Sequence, residues 1–293
     1  MKIIEINNAI KLCHFTTTKG IFDDSVDVTY IIHLLGNVER TNNILFQLQK
    51  IKPTKQIYIL LNKGYKYKEN IDNSAEDLVN CNLEIFKHAN LKKYNNILIL
   101  EDDFVWLDID DNCTKDVNYF CNLHKNKEFL FYLGTIPFIF YPYSFTIHKG
   151  VANIMTHSII YSKIARNKIL NYPIKIQDID LFLSSTNFDR YFYYYTLCGQ
   201  TYTVTENSKT WFTYKTPLYD LFYKIVYFFK ADIYPSQFFL FWYILIIIIK
   251  IIILSFIIKI ILIIYLNKLL KFKQNIEKIF KLLYKIFSKT YNI

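Results

Sequence analysis

Arginine is nearly missing from this chain of 293 residues: it stands only at Arg40, Arg166 and Arg190, and the other 32 of 35 basic residues are lysine. Nucleic-acid recognition leans on arginine forks and on a basic face of the folded body. Residues 231–293 instead carry nine lysines against Asp232 and Glu277, a net +7 of the chain's +10, which leaves only +3 for the first 230 residues. Basicity belongs to the tail, and no nucleic-acid partner is expected. Paired cysteine spacing is absent too. Cys13, Cys81, Cys113, Cys121 and Cys198 are odd in number and contain no CxxC, so they read as free or buried thiols rather than a zinc site or a disulfide framework. Nor does a long apolar run open the chain: "MKIIEINNAIKLCHF" is interrupted by Lys2, Glu5 and Lys11, and a secretory signal is not expected there.

One long apolar run lies at the other end. Phe238 to Leu266 is broken only by Lys250, Lys259 and one serine. As a helix its 29 residues span roughly 43 Å, more than the approximately 30 Å of bilayer hydrocarbon. Each lysine costs about 2.5–3.5 kcal/mol near a helix centre, while each large aliphatic side chain returns only about 0.3–0.6. The aliphatic residues outnumber the lysines enough to win. In "NKLLKFKQNIEKIFKLLYKIFSK", Lys271, Lys278, Lys281 and Lys285 face away from Phe272, Ile276, Ile279, Leu283 and Ile286, the pattern of a basic amphipathic helix on an anionic membrane or against a partner. Six lysines follow the run within twenty residues, against Lys224 and Lys230 before it, which favours a cytosolic tail. A single crossing and a re-entrant segment remain open. The division expected is an N-terminal segment 1–26, a main folded domain 27–212, a juxtamembrane segment 213–237, a membrane helix 238–266 and an amphipathic tail 267–293.

Between these ends, strand and helix patterns alternate. Val28–Leu34 and Gln56–Leu61 read as buried strands, and Ile44, Leu45, Leu48 and Ile51 as one face of the helix between them. Ser74 and Asp77 suggest a capping box for a second helix carrying Cys81, Ile85 and Phe86. Then "NNILILEDDF" runs four aliphatic residues into Glu101, Asp102 and Asp103. This order predicts an α/β domain with a mixed, mainly parallel sheet whose ligands gather outside the carboxyl ends of the strands. Crowded carboxylates there need a shared cation, and Glu101 with Asp103 has the acid-x-acid spacing to hold Mg2+ or Mn2+ against diphosphate oxygens.

"YNNILILEDDF" resembles the acidic segment of glycosyltransferase family 25, the lipooligosaccharide and collagen sugar-transferase family, including relatives encoded by large DNA viruses. "YIIHLLGNVERTNNILFQL", "THSIIYSKIARNKIL", "DIDLFLSS" and "YYYTLCGQTYTVTENSKTW" extend the likeness over roughly Thr29 to Trp211. The resemblance implies a GT-A fold and an inverting, metal-dependent sugar transfer from a nucleotide diphosphate donor, such as a UDP-sugar, to a glycan or protein acceptor. It implies Glu101 and Asp103 as metal ligands, Arg40, Asp102, His157 and Gln200 at the donor, and Asp180, or else Asp178, as the base. The alternative is a catalytically idle descendant serving as a membrane scaffold. A bilayer, of host endomembrane or virion, is the expected location.

Overall fold

The computed structural model describes residues 2–201, 224, 228 and 235–290. The expected juxtamembrane segment and the stretch that closes the family likeness, up to Trp211, lie for the most part outside the described residues. The chain divides into two units, Met1–Trp242 and Tyr243–Ile293.

The first unit is a mixed α/β domain. Its strands β1 (Lys2–Glu5), β2 (Ile10–Thr16), β3 (Val28–Leu34), β4 (Gln56–Asn62), β5 (Asn96–Glu101), β7 (Leu130–Tyr132), β8 (Ile136–Pro142), β9 (Ile147–Ile154), β10 (Ser158–Ser162) and β11 (Arg190–Tyr193) form one ten-stranded sheet in the order β1-β2-β4-β3-β5-β10-β7-β11-β9-β8. A second, two-stranded sheet pairs β6 (Phe104–Trp106) with β12 (Cys198–Gln200). The helices are α1 (Val38–Lys50), α2 (Ser74–Leu91), α3 (Asp111–Leu123), α4 (Lys163–Leu170) and α5 (Ile179–Ser185).

The expectation of a mainly parallel sheet is corrected. Parallel pairing is confined to β4-β3-β5 and β7-β11, and the other six pairings of the large sheet are antiparallel. A hairpin, β1–β2, adds itself antiparallel to β4 from the stretch read only as an N-terminal segment. In β2, Ile10 and Leu12 are buried while Lys11 between them is not. That alternation marks a strand with one wet side. The central strands behave differently. Ile97, Leu98, Ile99 and Leu100 of β5 are all buried, as expected where both faces of a sheet are covered.

Two local readings also change. Leu45 of α1 is exposed, and Gln47 is buried in its place beside Ile44 and Leu48. The cap of α2 is Asn73, whose side chain accepts from the amides of Ala75 and Glu76. Asp77 instead turns inward, accepting from Asn62 Nδ2 at 2.7 Å and pairing with the buried Lys68.

The second unit belongs to one helix, α6 (Pro235–Thr290), 56 residues and roughly 84 Å long. It is long and apolar enough to cross a membrane, with a mean hydropathy of 3.1 in an 18-residue window within Leu240–Ile286. The membrane helix and the amphipathic tail are thus one helix rather than two, since neither Gly nor Pro interrupts residues 236–290.

Candidate functional site

The acidic triplet sits at the carboxyl end of β5, level with the end of β3, because Ile32 pairs with Glu101 in a parallel register. On the other side Glu101 N donates to His157 O at 2.9 Å, where β10 begins. After Glu101 the chain turns through Asp102 and Asp103 into β6, and β12 runs alongside so that Gln200 stands opposite Phe104. Helix α1 holds this turn from above with three side chains spaced four and three apart, which share one helix face. Asn43 donates to the carbonyls of Asp102 (3.1 Å) and Phe104 (3.0 Å), Gln47 Oε1 accepts from Trp106 N (2.9 Å), and Lys50 reaches Trp106 O (2.8 Å).

Asp102 is saturated. Its carboxylate meets His33 Nδ1 at 2.9 Å, accepts from Leu34 N at 3.1 Å and pairs with Arg40 Nη1. Burial would raise its pKa, but the His33 hydrogen bond, the charge and hydrogen bond of Arg40 and the Leu34 amide outweigh burial and hold it below the ordinary carboxylate range. His33 passes through Nε2 to Thr41 Oγ1 at 2.9 Å, and Thr41 donates to Asn37 O. Asn37 caps α1 by accepting from Arg40 N, after a turn that Gly36 makes at φ +93°. Arg40 is therefore fixed in the first turn of α1 and bridges Asp102 to Asp103, with Nη2 3.2 Å from Asp103 Oδ2.

Asp103 is less well satisfied. Gln200 Nε2 donates to Oδ2 at 2.9 Å, while Oδ1 is buried with no hydrogen-bond partner among the described residues. Burial pushes its carboxyl up, Arg40 offsets part of that, and the result is about 6. Glu101, half-buried, is raised well above the usual carboxylate range by burial and by the charges of Asp103, Asp180 and Asp102, which Arg40 only partly opposes. Asp180, in the first turn of α5, is pushed up to about 7 by burial and by Asp178, against hydrogen bonds from the Thr156 side chain and the Met155 backbone. Its Oδ1 is also buried and unpaired among the described residues. Met155, next to these contacts, holds φ +78°, a conformation that non-glycine residues adopt only under constraint from their surroundings.

The structure thus brings Asp103 and Asp180 within electrostatic reach of Glu101, and sets Arg40 and Gln200 on Asp103. Four of the expected site residues have these partners in the structure. Arg40, expected at the donor, has its guanidinium on Asp102 and Asp103. Asp178 is the N-cap of α5, accepting from Leu181 N at 2.9 Å. His157 is buried rather than facing a ligand: Nε2 bonds Cys198 O at 2.9 Å, and burial lowers its pKa to about 4. The fit is close, because a Cβ at Gly134 would stand 1.8 Å from Cys198 O and 2.7 Å from His157 Nε2. Gln200 binds Asp103 rather than open space. Sequence reasoning missed His33, Asn43 and Gln47. His33 could have been found from the register that sets the end of β3 beside the acidic turn.

Among the described residues, no three His, Cys, Asp or Glu side chains converge as a ready-made metal shell. The oxygens present still suit a hard cation. Among the described residues Asp103 Oδ1 has no hydrogen-bond partner and Glu101 makes no ion pair, and Mg2+ is commonly held by one or two carboxylates with water and phosphate oxygens completing the shell.

No family model and no curated protein matches this chain. Among solved structures, the crystal structure of A197 from STIV is similar at 13% identity, covering 61% of this chain and 86% of that one, with a TM-score of 0.38. At that TM-score the likeness defines neither fold family nor function.

Proposed function

We propose that the chain is a membrane-attached glycosyltransferase of the family 25 type, with a GT-A-like domain that moves a sugar from a nucleotide diphosphate donor to an acceptor hydroxyl with inversion. One observation carries this reading: Glu101 and Asp103 stand at the carboxyl end of β5, Glu101 feels the charges of both Asp103 and Asp180, and Asp103 and Asp180 each bear a buried oxygen with no partner among the described residues. The acidic motif's resemblance supports it, and the length and apolarity of α6 support attachment to a bilayer.

In this reading Glu101 and Asp103 hold Mn2+ or Mg2+, which supplies neutralisation of the departing nucleoside diphosphate. Gln200 and Arg40 keep Asp103 oriented from the side opposite its free oxygen. Asp180 accepts the proton of the acceptor hydroxyl. A carboxylate with a pKa of about 7 is well matched to that task at neutral pH. His33, Asn43 and Gln47 fix the acidic turn, and His157 keeps β12 against β10.

A second reading is favoured by a specific observation. Arg40 already pairs with both Asp102 and Asp103, and Asp103, raised to about 6, can shed its charge by taking a proton, so the acids can persist without a metal in a catalytically idle membrane scaffold. A sugar-nucleotide hydrolysis screen of the full chain in detergent separates the two. Turnover of a UDP-sugar with Mn2+, falling about 10²–10⁴-fold in Asp180→Asn, supports the enzyme. Equal turnover in the variant removes Asp180 from the chemistry, and no turnover of any donor leaves the scaffold.

A further inference from the structure

Arg166 and Arg190 are buried and, among the described residues, bond only carbonyl oxygens. Arg166 donates to the carbonyls of Asn95 (2.8 Å), Tyr161 (3.1 Å) and Tyr94 (2.7 Å), and at 3.4 Å to Asn90 Oδ1. Arg190 donates from Nε to Leu183 O at 2.7 Å, from Nη1 to Val151 O at 2.7 Å, and from Nη2 to Ser184 O at 3.1 Å and to Thr186 O. Burial lowers the pKa of both. A guanidinium taken out of water without an acid beside it is costly, so the hydrogen bonds it makes have to outweigh that cost.

Arg190 secures α5. Leu183, Ser184 and Thr186 supply carbonyls at the end of that helix, for which the helix itself offers no amide, and Val151 lies on β9. One planar fork thus ties the last turn of α5 to a strand of the large sheet. Ser184 adds a second tie, its Oγ donating to Asn153 O near the end of β9. Asp180 lies one turn before Leu183 and Ser184 in the same seven-residue helix, and just past β9 the Met155 amide and the Thr156 side chain bond its carboxylate. Both ends of α5 are therefore set against one stretch of chain, residues 151–156. Met155, at φ +78°, makes the bend in that stretch. Tyr132 of β7, itself buried, feels the charges of both Arg190 and Asp180.

We infer that Arg190 is a positioning residue for the transfer: by clamping the last turn of α5 to β9 it holds the Asp180 carboxylate against the Met155–Thr156 bend, with Oδ1 left unpartnered for an acceptor hydroxyl. Its consequence for turnover rests on the transferase reading, whereas the clamp on α5 is tested apart from it. Lysine keeps the charge and loses the fork, because one ammonium nitrogen replaces three nitrogens that reach four carbonyls. Arg190→Lys therefore separates position from charge.

Urea unfolding of the full chain in detergent, with and without Asp180→Asn, is the first readout. Folding raises the Asp180 carboxyl from 3.8 to about 7, so between these values the folded state holds a proton that the unfolded state has released. Relative to Asp180→Asn, the folding constant of the wild type should fall about tenfold per pH unit as pH rises through that window. The titratable groups that face Asp180 are Asp178 on α5, Glu101 on β5, Tyr132 on β7 and Tyr161 on β10. All four stay in every variant, so comparing the two backgrounds isolates Asp180. In Arg190→Lys water reaches the carboxylate, and the slope should flatten below about twofold per unit. Arg166→Lys, which loosens no carbonyl of α5, should destabilise the chain and leave the slope steep. Turnover is the second readout, with kcat in Arg190→Lys expected to fall about 10–10²-fold at unchanged donor KM. A slope in Arg190→Lys as steep as in the wild type, equal flattening in Arg166→Lys, or an undiminished kcat overturns the clamp. A wild type that turns over no donor overturns the transferase reading instead, and the slopes still decide the clamp. Should Arg190→Lys fail to fold, Ser184→Ala decides: a flatter slope supports the clamp and an unchanged one overturns it.

Discussion

Replacing Arg40 by Gln gives the sharpest view of the acidic rim. The guanidinium side chain is 15% exposed and bridges two carboxylates whose side chains are 6% and 1% exposed. Removing one partner of a buried ion pair costs about 3–5 kcal/mol, because the other charge is left without compensation. Here the cost is capped, since Asp103, already raised to about 6, takes up a proton once its partner is gone. About 3 kcal/mol is expected, and at roughly 2–4 °C per kcal/mol for a domain of this size the melting temperature falls by about 6–12 °C. The loss must depend on pH. Asp102 has a depressed folded pKa, so the stability it gains from Arg40 is full above its unfolded value of 3.8 and fades as pH falls through the folded value. In the variant Asp103 is raised further, and keeping it ionised becomes costlier as pH climbs through and past 6. Thermal melts of wild type and variant in detergent at pH 5 and pH 7.5 should show the larger deficit at pH 7.5. A deficit below about 1 kcal/mol, or one that does not change with pH, refutes the counter-ion role.

Other perturbations probe the surroundings. Gly134→Ala places a Cβ against the Cys198 carbonyl at 1.8 Å and should destabilise by about 1–3 kcal/mol or more, read in urea unfolding; a neutral outcome contradicts the packing of β12 on His157. The pKa of His157 is about 4 in the folded chain against 6.5 when free, so the unfolded state binds the proton first. Stability should then drop by about 1.4 kcal/mol per unit as pH falls between these values, and His157→Gln should flatten that slope. Gln200→Ala frees Asp103 Oδ2 from its 2.9 Å donor and should cost about 1.5–3 kcal/mol in the same assay. The full chain should float with liposomes and resist alkaline carbonate; extraction by carbonate rules out a spanning α6.

The parts of this fold that could be read from sequence are those whose pattern is local. Buried strands flanked by helices need continuous aliphatic runs, and "VTYIIHL", "QIYILL" and "NNILIL" became β3, β4 and β5 nearly residue for residue. The β1–β2 hairpin was hidden because Lys11 and His14 break its apolar run, although alternation around them is what an edge hairpin requires. Gln47 was passed over for Leu45 because composition does not reveal that a backbone amide, that of Trp106, awaits a buried acceptor. Arg40 stands where a donor contact was expected, but only the register of β3 on β5 shows that two carboxylates lie within its reach. The tail was divided in two because hydropathy changes near Asn267, while helix propensity does not.

The central claim is that Glu101 and Asp103 take a divalent ion together with a nucleotide diphosphate sugar. Calorimetric titration of a UDP-sugar into the full chain in detergent tests it most directly, with Mn2+ present and again after chelation. The account predicts binding heat only with the metal, and none in Asp103→Ala. Equal binding after chelation, or in the variant, contradicts it.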